Sequence, residues 1–509
     1  IIIEGAVMMG YYMGIDIGTS GSKGVLVNND GDIVAQQSCE HGMEMPKPGF
    51  FEHDAEKVWW GDFCTISNAL IEKSGICPKE ILGVGASTLG ADCVPVDKDC
   101  RPLRKAILYG IDSRASKELE EIEERIGKSR LKELRSNPLC SEDVFAKSLW
   151  IKNNEIDVYK GTYKFCTGST YLTAKLTGNF VLDNYLAQLC YFPAYKTDGT
   201  LWKEVVEMFV DPAQMPYTAE CTEIAGYVSV KAARETGLEV GTPVVTGTDD
   251  AAAEAFSAGI VEPGDLMIML GSSMYLICLA ENPILDKRLW NSRYLIPGIN
   301  SIQGATNNMG TVTKWLKENL FRDFVQEEKY GGGNTYERMA EAGKTVAPGA
   351  DGLVALPYLA GERTPINDPE AAGVLLGLRL GHDRRHIYRA MIEGIAYGIA
   401  QHIDIIKENG ISINKIVAIG GGIKNALLMQ IIADVTGEVI TIPAITIGAS
   451  YGDAILAAIG CGGFESFEEA KKVFKMGTIY EPAAANKAIY ANNMRRFTEL
   501  YEKTRGLID

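Results

Sequence analysis

One local pattern occurs twice in this chain. "YYMGIDIGTSGSKGVLVNNDG", residues 11–31, starts as a buried strand, ends in glycines and hydroxyls, and turns at once into a second β-rich run. "GDLMIMLGSSMYLICLA", residues 264–280, repeats the arrangement around Gly271-Ser272-Ser273. A strand that finishes in Asp16, Gly18, Thr19, Ser20, Gly21, Ser22 and Lys23 can bury almost nothing there. Successive backbone amides in such a turn form an anion-binding nest, and hydroxyls add donors without bulk. No helix follows directly, and neither G-x-x-x-x-G-K-[ST] nor G-x-G-x-x-G fits, so two familiar phosphate loops are excluded. Either turn alone also reads as an ordinary hairpin. Both together read as two phosphate loops facing each other across a domain cleft, as a nucleotide polyphosphate requires.

A chain of 509 residues exceeds what one hydrophobic core sustains, so at least two domains are expected. The pattern restarts after "VVTGTDDAAAEAFSAGIV", which divides the chain into domains 11–248 and 249–509. Asp30-Gly31 supplies the turn of a hairpin that completes the first strands. Asp54 caps an amphipathic helix whose buried face is Trp59, Phe63, Ile66 and Leu70. "ILGVGAS" is a buried strand, and "SKELEEIEERIGKSRLKELRSN" a charged, solvated helix. "IVAIGGGIKNALLMQIIADVTG" is strand, triple glycine and helix, with Leu427, Leu428, Ile431, Ile432 and Val435 on the apolar face. A flat ring can lie against such a glycine turn, which makes it the adenosine site of the arrangement.

Charge and cysteines narrow the partners. The net charge is −16 and the pI near 5.0, a poor basis for neutralising nucleic-acid phosphates or binding an anionic membrane. Eleven cysteines are scattered without C-x-x-C or framework spacing, and read as reduced, mostly buried thiols of a cytoplasmic protein. The apolar run 266–280 is too short for a membrane span and is interrupted by Gly-Ser-Ser. No export signal is read at the N-terminus, and Met8, Met9 and Met13 are all candidate native starts.

The groups that could carry chemistry are few. Asp249 and Asp250 sit adjacent at a strand end, where one acid can cap the following helix while the other takes a proton from an attacking hydroxyl. Asp16, beside the hydroxyl-rich turn, is placed to hold Mg²⁺ through water, since that ion prefers oxygen ligands and keeps much of its hydration. Lys23 reads equally as a phosphate contact and as a solvated lysine. Tyr109, Asp112 and Arg114 in "LYGIDSRA" either bind a polyol or form a structural ion pair. His382 and His386 lie at a solvated helix start with no third ligand spaced for zinc.

These segments together resemble the FGGY carbohydrate kinases of the actin and hexokinase superfamily, over essentially the whole chain. "DIGTS" is similar to the first phosphate motif, "GTDDAA" to the catalytic segment, "LGSS" to the second phosphate motif and "GGGIKNALLMQIIAD" to the adenosine motif. "GVLLGLRLGHDRRHIYRAMIE", residues 373–393, fits the family's C-terminal signature, and "PYLAGERTPINDPEAAG" and "YLTAKLTGNF" add family-like phrases. The resemblance implies an α/β fold of two ribonuclease-H-like domains hinged around a cleft where Mg-ATP meets a sugar. It implies that Asp249 is the catalytic base; that Asp16, Thr19, Ser20, Gly271, Ser272, Gly310, Gly421, Gly422 and Asn425 bind ATP; and that Asp16 holds Mg²⁺ through water. The substrate positions are Gly90, Ala91, Asp112, Asp249 and Asp250.

Within the family, "EHGMEMPKPGFFEHDAEKVWW" and "RPLRKAILYGIDSRA" look most like xylulokinases, so D-xylulose is the first substrate expected and a homodimer the usual assembly. Two departures stand out. The sugar-contacting segment reads "STLGADC", which puts Gly90 and Ala91 where a Met-His pair is usual, and "KSLW" after Lys147 has a serine where an apolar residue is preferred. The first keeps other substrates open, among them ribulose, gluconate and a tetritol, and beyond them a non-catalytic sugar- or ATP-binding regulator.

Overall fold

The computed structural model describes residues 10–135, 138–284 and 286–507; of the candidate starts, Met8 and Met9 lie outside them. The chain forms two compact units, each described by itself. Unit 1 takes in Ile1–Val261, Ser292–Asn300 and Ile447–Phe474, and unit 2 takes in Glu262–Asn291, Ser301–Thr446 and Lys475–Asp509.

Unit 1 is built on β1 (Tyr11–Ile17), β2 (Gly21–Asn28), β3 (Ile33–Glu40), β4 (Ile81–Thr88), β5 (Ile224–Tyr227), β6 (Pro243–Val245) and β7 (Thr248–Asp249). The sheet runs β5-β6-β4-β1-β2-β3, and β7 also pairs with β4. β1 and β2 are antiparallel, as are β2 and β3, whereas β4 runs parallel to β1 and to β6 and β7. β1 is covered on both faces: Met13, Ile15 and Ile17 on one face have no exposed surface, and Tyr12 and Gly14 on the other are buried as well, as suits a central strand. The helix Ala449–Gly460 packs so closely over β1 that a Cβ on Gly14 would lie 2.0 Å from the Ser450 carbonyl oxygen. A capped helix follows the first hairpin as expected. Asp54 accepts the Lys57 N–H at 3.1 Å, a π-helical turn Ala55–Trp60 leads into α1 (Gly61–Ser74), and Trp59, Phe63, Ile66 and Leu70 are fully buried.

Unit 2 repeats the plan with β8 (Asp265–Leu270), β9 (Met274–Ala280), β10 (Asn300–Thr306), β11 (Lys415–Ile419), β12 (Ile440–Pro443) and β13 (Met476–Tyr480), in the order β10-β9-β8-β11-β12-β13. β8 and β9 are antiparallel, and β11 is parallel to β8 and to β12. Numbered from the first strand of each hairpin, both sheets contain the order 3-2-1-4 followed by a strand parallel to the fourth, β6 in unit 1 and β12 in unit 2, the ribonuclease-H-like arrangement that the family resemblance implies.

Two expectations are corrected. The division after residue 248 separates Asp249 from its own unit: α2 (Asp250–Ser257) packs on the helix Ala449–Gly460, and a Cβ on Gly452 would lie 2.1 Å from the Ala253 carbonyl oxygen. Close backbone contact therefore ties both 249–261 and 447–474 to unit 1. The charged helix expected from residue 116 breaks at Gly127, whose φ of 94° no side-chain-bearing residue adopts easily, and its Glu118 and Ile122 are buried. Six of the eleven cysteines are buried and none is paired. Among the described residues no helix is long and apolar enough to cross a membrane.

Candidate active site

Strand register assembles the acids of unit 1. Asp16 on β1 stands opposite Lys23 on β2 and Ser87 on β4, and Ser87 stands opposite Thr248 on β7. One step further on, Ile17 is opposite Thr88, and Thr88 is opposite Asp249. Residues from four separate stretches of sequence thus end at one sheet edge.

The Ser87 hydroxyl joins two of the acids. It donates to Asp453 Oδ2 at 2.6 Å and lies 3.4 Å from Asp16 Oδ1, while Asp453 Oδ1 has no hydrogen-bond partner. Burial pushes the Asp16 carboxyl well above the usual carboxylate range, the charges of Asp250 and Glu254 push it further, and Lys23 and Ser87 oppose them. Burial also raises Asp453, with Asp16 and Asp250 adding to the shift. Lys23, left open by the sequence, is exposed, yet its charge acts on both Asp16 and Glu254.

The two adjacent aspartates do not divide their tasks as expected. Asp249 is itself the helix cap: its Oδ1 accepts the Ala252 N–H at 2.8 Å, while Asp250 Oδ1 accepts the Ala251 N–H at 2.8 Å. Capping spends only one Asp249 oxygen. Its Oδ2 faces the segment after β4, where a Cβ on Gly90 would lie 2.7 Å away. Burial, then Asp250, raise the Asp249 carboxyl; burial raises Asp250 to about 6, and burial and Asp250 raise Glu254, one helical turn on, to about 7. The Thr248 hydroxyl donates to Asp183 at 2.7 Å, and burial raises that carboxyl to about 7.

The segment that departs from the family pattern is shaped by these neighbours. Gly90 has no side chain because Asp249 occupies its place, and the Ala91 carbonyl accepts the buried Lys147 ammonium at 2.5 Å. Asp92 is fully buried and neither of its oxygens is in a well-formed hydrogen bond; burial raises it, against the nearby charge of Lys147. Ser148, the unusual residue of "KSLW", is satisfied inside its own helix, where its hydroxyl donates to the Phe145 carbonyl at 2.7 Å.

Asp112 does not fit the substrate role expected of it. Its carboxylate has no exposed surface; it accepts the Phe51 N–H at 2.7 Å and a forked pair of bonds from the Arg114 guanidinium, which also donates to Glu52 at 2.8 Å. A sealed ion pair that fixes the strand Phe50–His53 is the structural alternative the sequence left open. Tyr109 does reach the first turn, accepting from the Thr19 hydroxyl at 3.4 Å. His386 is only 9% exposed, not solvated, and sits between the carboxylates of Asp383 and Asp351.

In unit 2 the second hairpin is held by neutral contacts. The first amides of α3 (Gly310–Leu320) grip the turn: Gly310 N–H donates to the Gly271 carbonyl at 3.1 Å and Thr311 N–H to the Ser272 carbonyl at 3.0 Å. A Cβ on Gly310 would lie 2.5 Å from the Gly271 oxygen, so this docking needs glycine. After β11 the triple glycine leads into α4 (Ala426–Thr436), with Leu427, Leu428, Ile431 and Ile432 buried and Val435 half-buried. Gly421 faces open space, whereas Gly422 is covered by Leu270 and Met309. Asn425 is engaged at both ends, accepting the Leu428 N–H at 3.1 Å and donating to the Tyr388 hydroxyl at 2.9 Å.

Sequence reading missed Ser87, Asp92, Asp183, Glu254 and Asp453. Only Glu254 left a signal, its four-residue spacing from Asp250 on one helix face.

Residues 11–257 match the N-terminal domain, and residues 266–461 the C-terminal domain, of the FGGY family of carbohydrate kinases. A xylulose kinase of Staphylococcus xylosus is 31% identical over 92% of this chain and 94% of its own. A xylulose kinase of Lactococcus lactis is 28% identical over 97% of each. The crystal structure of xylulose kinase from Rhodospirillum rubrum superimposes with a TM-score of 0.88 at 28% identity, covering 98% of this chain and 99% of that one. Two sheets that share the strand order 3-2-1-4, each opening with a glycine-turned hairpin, and matches that span both of them lead to one conclusion: this chain belongs to the FGGY family of carbohydrate kinases.

Proposed function

We propose that the protein transfers the γ-phosphoryl group of ATP to the terminal hydroxyl of D-xylulose, with Asp249 as general base. The observation that carries this reading is the state of Asp249. One oxygen is fixed by the Ala252 amide, the other is directed at side-chain-free Gly90, and burial, then the charge of Asp250, raise the carboxyl above the usual carboxylate range, which makes it the stronger base. Similarity to enzymes named for xylulose supports the choice of sugar.

The chain's own residues supply the rest of the mechanism. Amides and hydroxyls of Thr19 and Ser20 in one turn, and of Ser272 in the other, bind phosphate oxygens as the charge on them shifts, while the Gly271 N–H closes its own turn on the Ser273 carbonyl at 3.0 Å. Gly310 braces the second turn, the open face of Gly421 takes the adenosine, and Gly422 and Asn425 shape the turn beneath it. Asp250 and Glu254 keep Asp249 and Asp16 in a field of negative charge that a cation relieves. Asp16, which feels the charges of Asp250 and Glu254 with Lys23 opposing them, would hold Mg²⁺ through water. When bound, Mg²⁺ neutralises charge on the phosphate oxygens.

Gly90 and Ala91 offer the sugar no polar side chain, so backbone groups read it there, and this favours a second reading in which ribulose, gluconate or a tetritol is the substrate. An ADP-release assay with Mg-ATP against D-xylulose, L-xylulose, D- and L-ribulose, gluconate, glycerol and erythritol decides between them. Turnover of D-xylulose above all others is expected. Preference for another member moves the substrate, and silence across the panel with ATP bound makes the regulator reading the one to pursue. The acidic net charge and unpaired thiols support a cytoplasmic protein without nucleic-acid or membrane partners. A homodimer, the family's usual form, is checked by light scattering.

A further inference from the structure

His41 follows β3 and holds the first glycine turn from beneath. Its own N–H donates to the Ser20 carbonyl at 3.2 Å, and its ring Nε2 lies 3.0 Å from the Gly18 carbonyl oxygen. Its other ring nitrogen, Nδ1, lies 2.8 Å from Asp62 Oδ2 on α1, an oxygen that also accepts the Ser22 hydroxyl at 2.6 Å. Both ring nitrogens therefore face acceptors. A neutral imidazole donates only once, so making both bonds requires the doubly protonated ring.

The next histidine is held in the opposite state. His53 stands edge-on to His41 with ring centres 5.1 Å apart, and its Nδ1 accepts the Trp59 indole N–H at 3.1 Å. Burial and the neighbouring His41 charge lower its pKa to about 4, which keeps it neutral. Besides Asp62, Ser22, His53 and the Gly18–Thr19 backbone, the charged and titratable groups around the pair are Glu44, which acts on His53, and Cys39, which feels Asp62.

A trans peptide points its C=O and N–H to opposite sides. Turning the Gly18 carbonyl in to His41 therefore turns the Thr19 N–H outward, and glycine at 18 offers no side chain to resist the reverse orientation. We infer that His41, as an imidazolium clamped to Asp62, is a positioning residue that fixes the Gly18–Thr19 peptide with its N–H presented to a phosphate oxygen of ATP. This rests on the reading of that turn as a phosphate loop. Neither His41 nor Asp62 touches the reacting atoms.

The clamp has a direction in pH. Bonds to Asp62 and to the Gly18 and Thr19 backbone raise the His41 pKa against the opposing effect of burial, so the ring keeps both protons through the ordinary histidine range and loses one as the pH rises above it. The remaining proton stays on Nδ1, in the hydrogen bond to Asp62 Oδ2. Nε2 then turns a lone pair on the Gly18 oxygen, and the peptide is released.

The test measures Mg-ATP binding to the intact protein without sugar, by calorimetry, from pH 6.5 to 9. Wild type is expected to weaken about tenfold across that range, the loss of one charge-assisted hydrogen bond. His41→Gln is expected to bind weakly throughout and to show little of that pH dependence, which also separates the clamp from titration of Asp250 and Glu254. In NMR, the His41 ring is expected to titrate above about 6.5 in wild type and lower in Asp62→Asn. That measurement needs neither nucleotide nor sugar and stands if His41→Gln fails to fold. A His41 that titrates at or below the ordinary value, or a His41→Gln protein with the wild-type pH dependence, overturns the inference. Clamped, pH-dependent ATP binding without turnover of any sugar overturns the proposed reaction instead.

Discussion

The two glycine-turned hairpins share a strand plan and differ in everything that surrounds the turn. In unit 1 the turn is bordered by carboxyls raised by burial and by one another: Asp16, Asp249, Asp250, Glu254 and Asp453. In unit 2 it is gripped by the Gly310 and Thr311 amides and by glycine packing at Gly422, contacts without formal charge. The same local geometry thus serves two purposes. In the proposed function the clustered acids at the first turn accept the proton and attract the cation, which accounts for carboxyls crowded together at a cost in stability. The neutral second turn supplies donors and shape, which is what holding a nucleotide in place requires.

The sharpest way to break this division is Asp249→Ala. If chemistry lives at the first turn, turnover falls by about 10² to 10⁴-fold, the range removed with a general base, while Mg-ATP affinity stays within about twofold. Steady-state kinetics with calorimetry checks both halves. An Asp249→Ala enzyme of near wild-type turnover would move the chemistry away from unit 1.

The raised acids also make a stability prediction. Asp250 at about 6 and Glu254 at about 7 hold protons more tightly than the same groups in the unfolded chain, which titrate near about 4. Between about pH 4 and 7 the native state therefore binds more protons, and stability falls as the pH rises through that window, on the order of 3 kcal/mol for each of the two groups. Urea denaturation at pH 5, 6, 7 and 8 measures it. Glu254→Gln should flatten the slope and be the more stable protein at pH 8; a wild type that gains stability from pH 5 to 7 contradicts the picture of crowded, unrelieved carboxyls.

Gly310→Ala probes the other side of the comparison. The added methyl would lie 2.5 Å from the Gly271 oxygen and 3.1 Å from the Ser272 Cα, both backbone atoms that cannot swing away. A loss of about 1 to 3 kcal/mol in stability and weaker Mg-ATP binding are expected, with the KM for sugar unchanged. Thermal unfolding and two-substrate kinetics separate these effects, and an unchanged ATP affinity would show that the second turn does not hold the nucleotide.

Why some of this was legible and some not follows from distance along the chain. Much of what one continuous stretch carries could be read: the doubled hairpin, the Asp54 cap with its four buried side chains, and the strand, triple glycine and helix near residue 421, though not the break of the charged helix at Gly127. What depends on register could not. Ser87 meets Asp16 because β4 lies parallel to β1, and Asp453 joins them because a helix near residue 455 returns to unit 1. No local pattern announces either. The same return moves Asp249 across the expected domain division. Asp112 was misread for a related reason: a carboxylate two residues from an arginine looks the same in sequence whether it meets substrate or is sealed, and Phe51 and Glu52, some sixty residues away, decide the matter.

Asn425 tests the finest part of the comparison, because sequence resemblance makes it a nucleotide contact and the structure occupies it otherwise. Its oxygen caps α4 at Leu428 and its amide donates to Tyr388, a hydroxyl buried in unit 2. Asn425→Ala removes both bonds and should cost about 1 kcal/mol, the usual value of a lost cap. Asn425→Asp keeps a cap and leaves an acceptor for the Tyr388 hydroxyl, so most of that stability should return. If the side chain only shapes the turn, Mg-ATP affinity stays within about twofold in both variants, and Asn425→Asp adds no penalty from its new charge. A tenfold loss in Asn425→Asp alone would mean that the charge is felt by the nucleotide itself. The glycine turn of unit 2 would then be reading its ligand with a side chain, as unit 1 does, and the contrast between a charged first turn and a neutral second one would narrow to the acids alone.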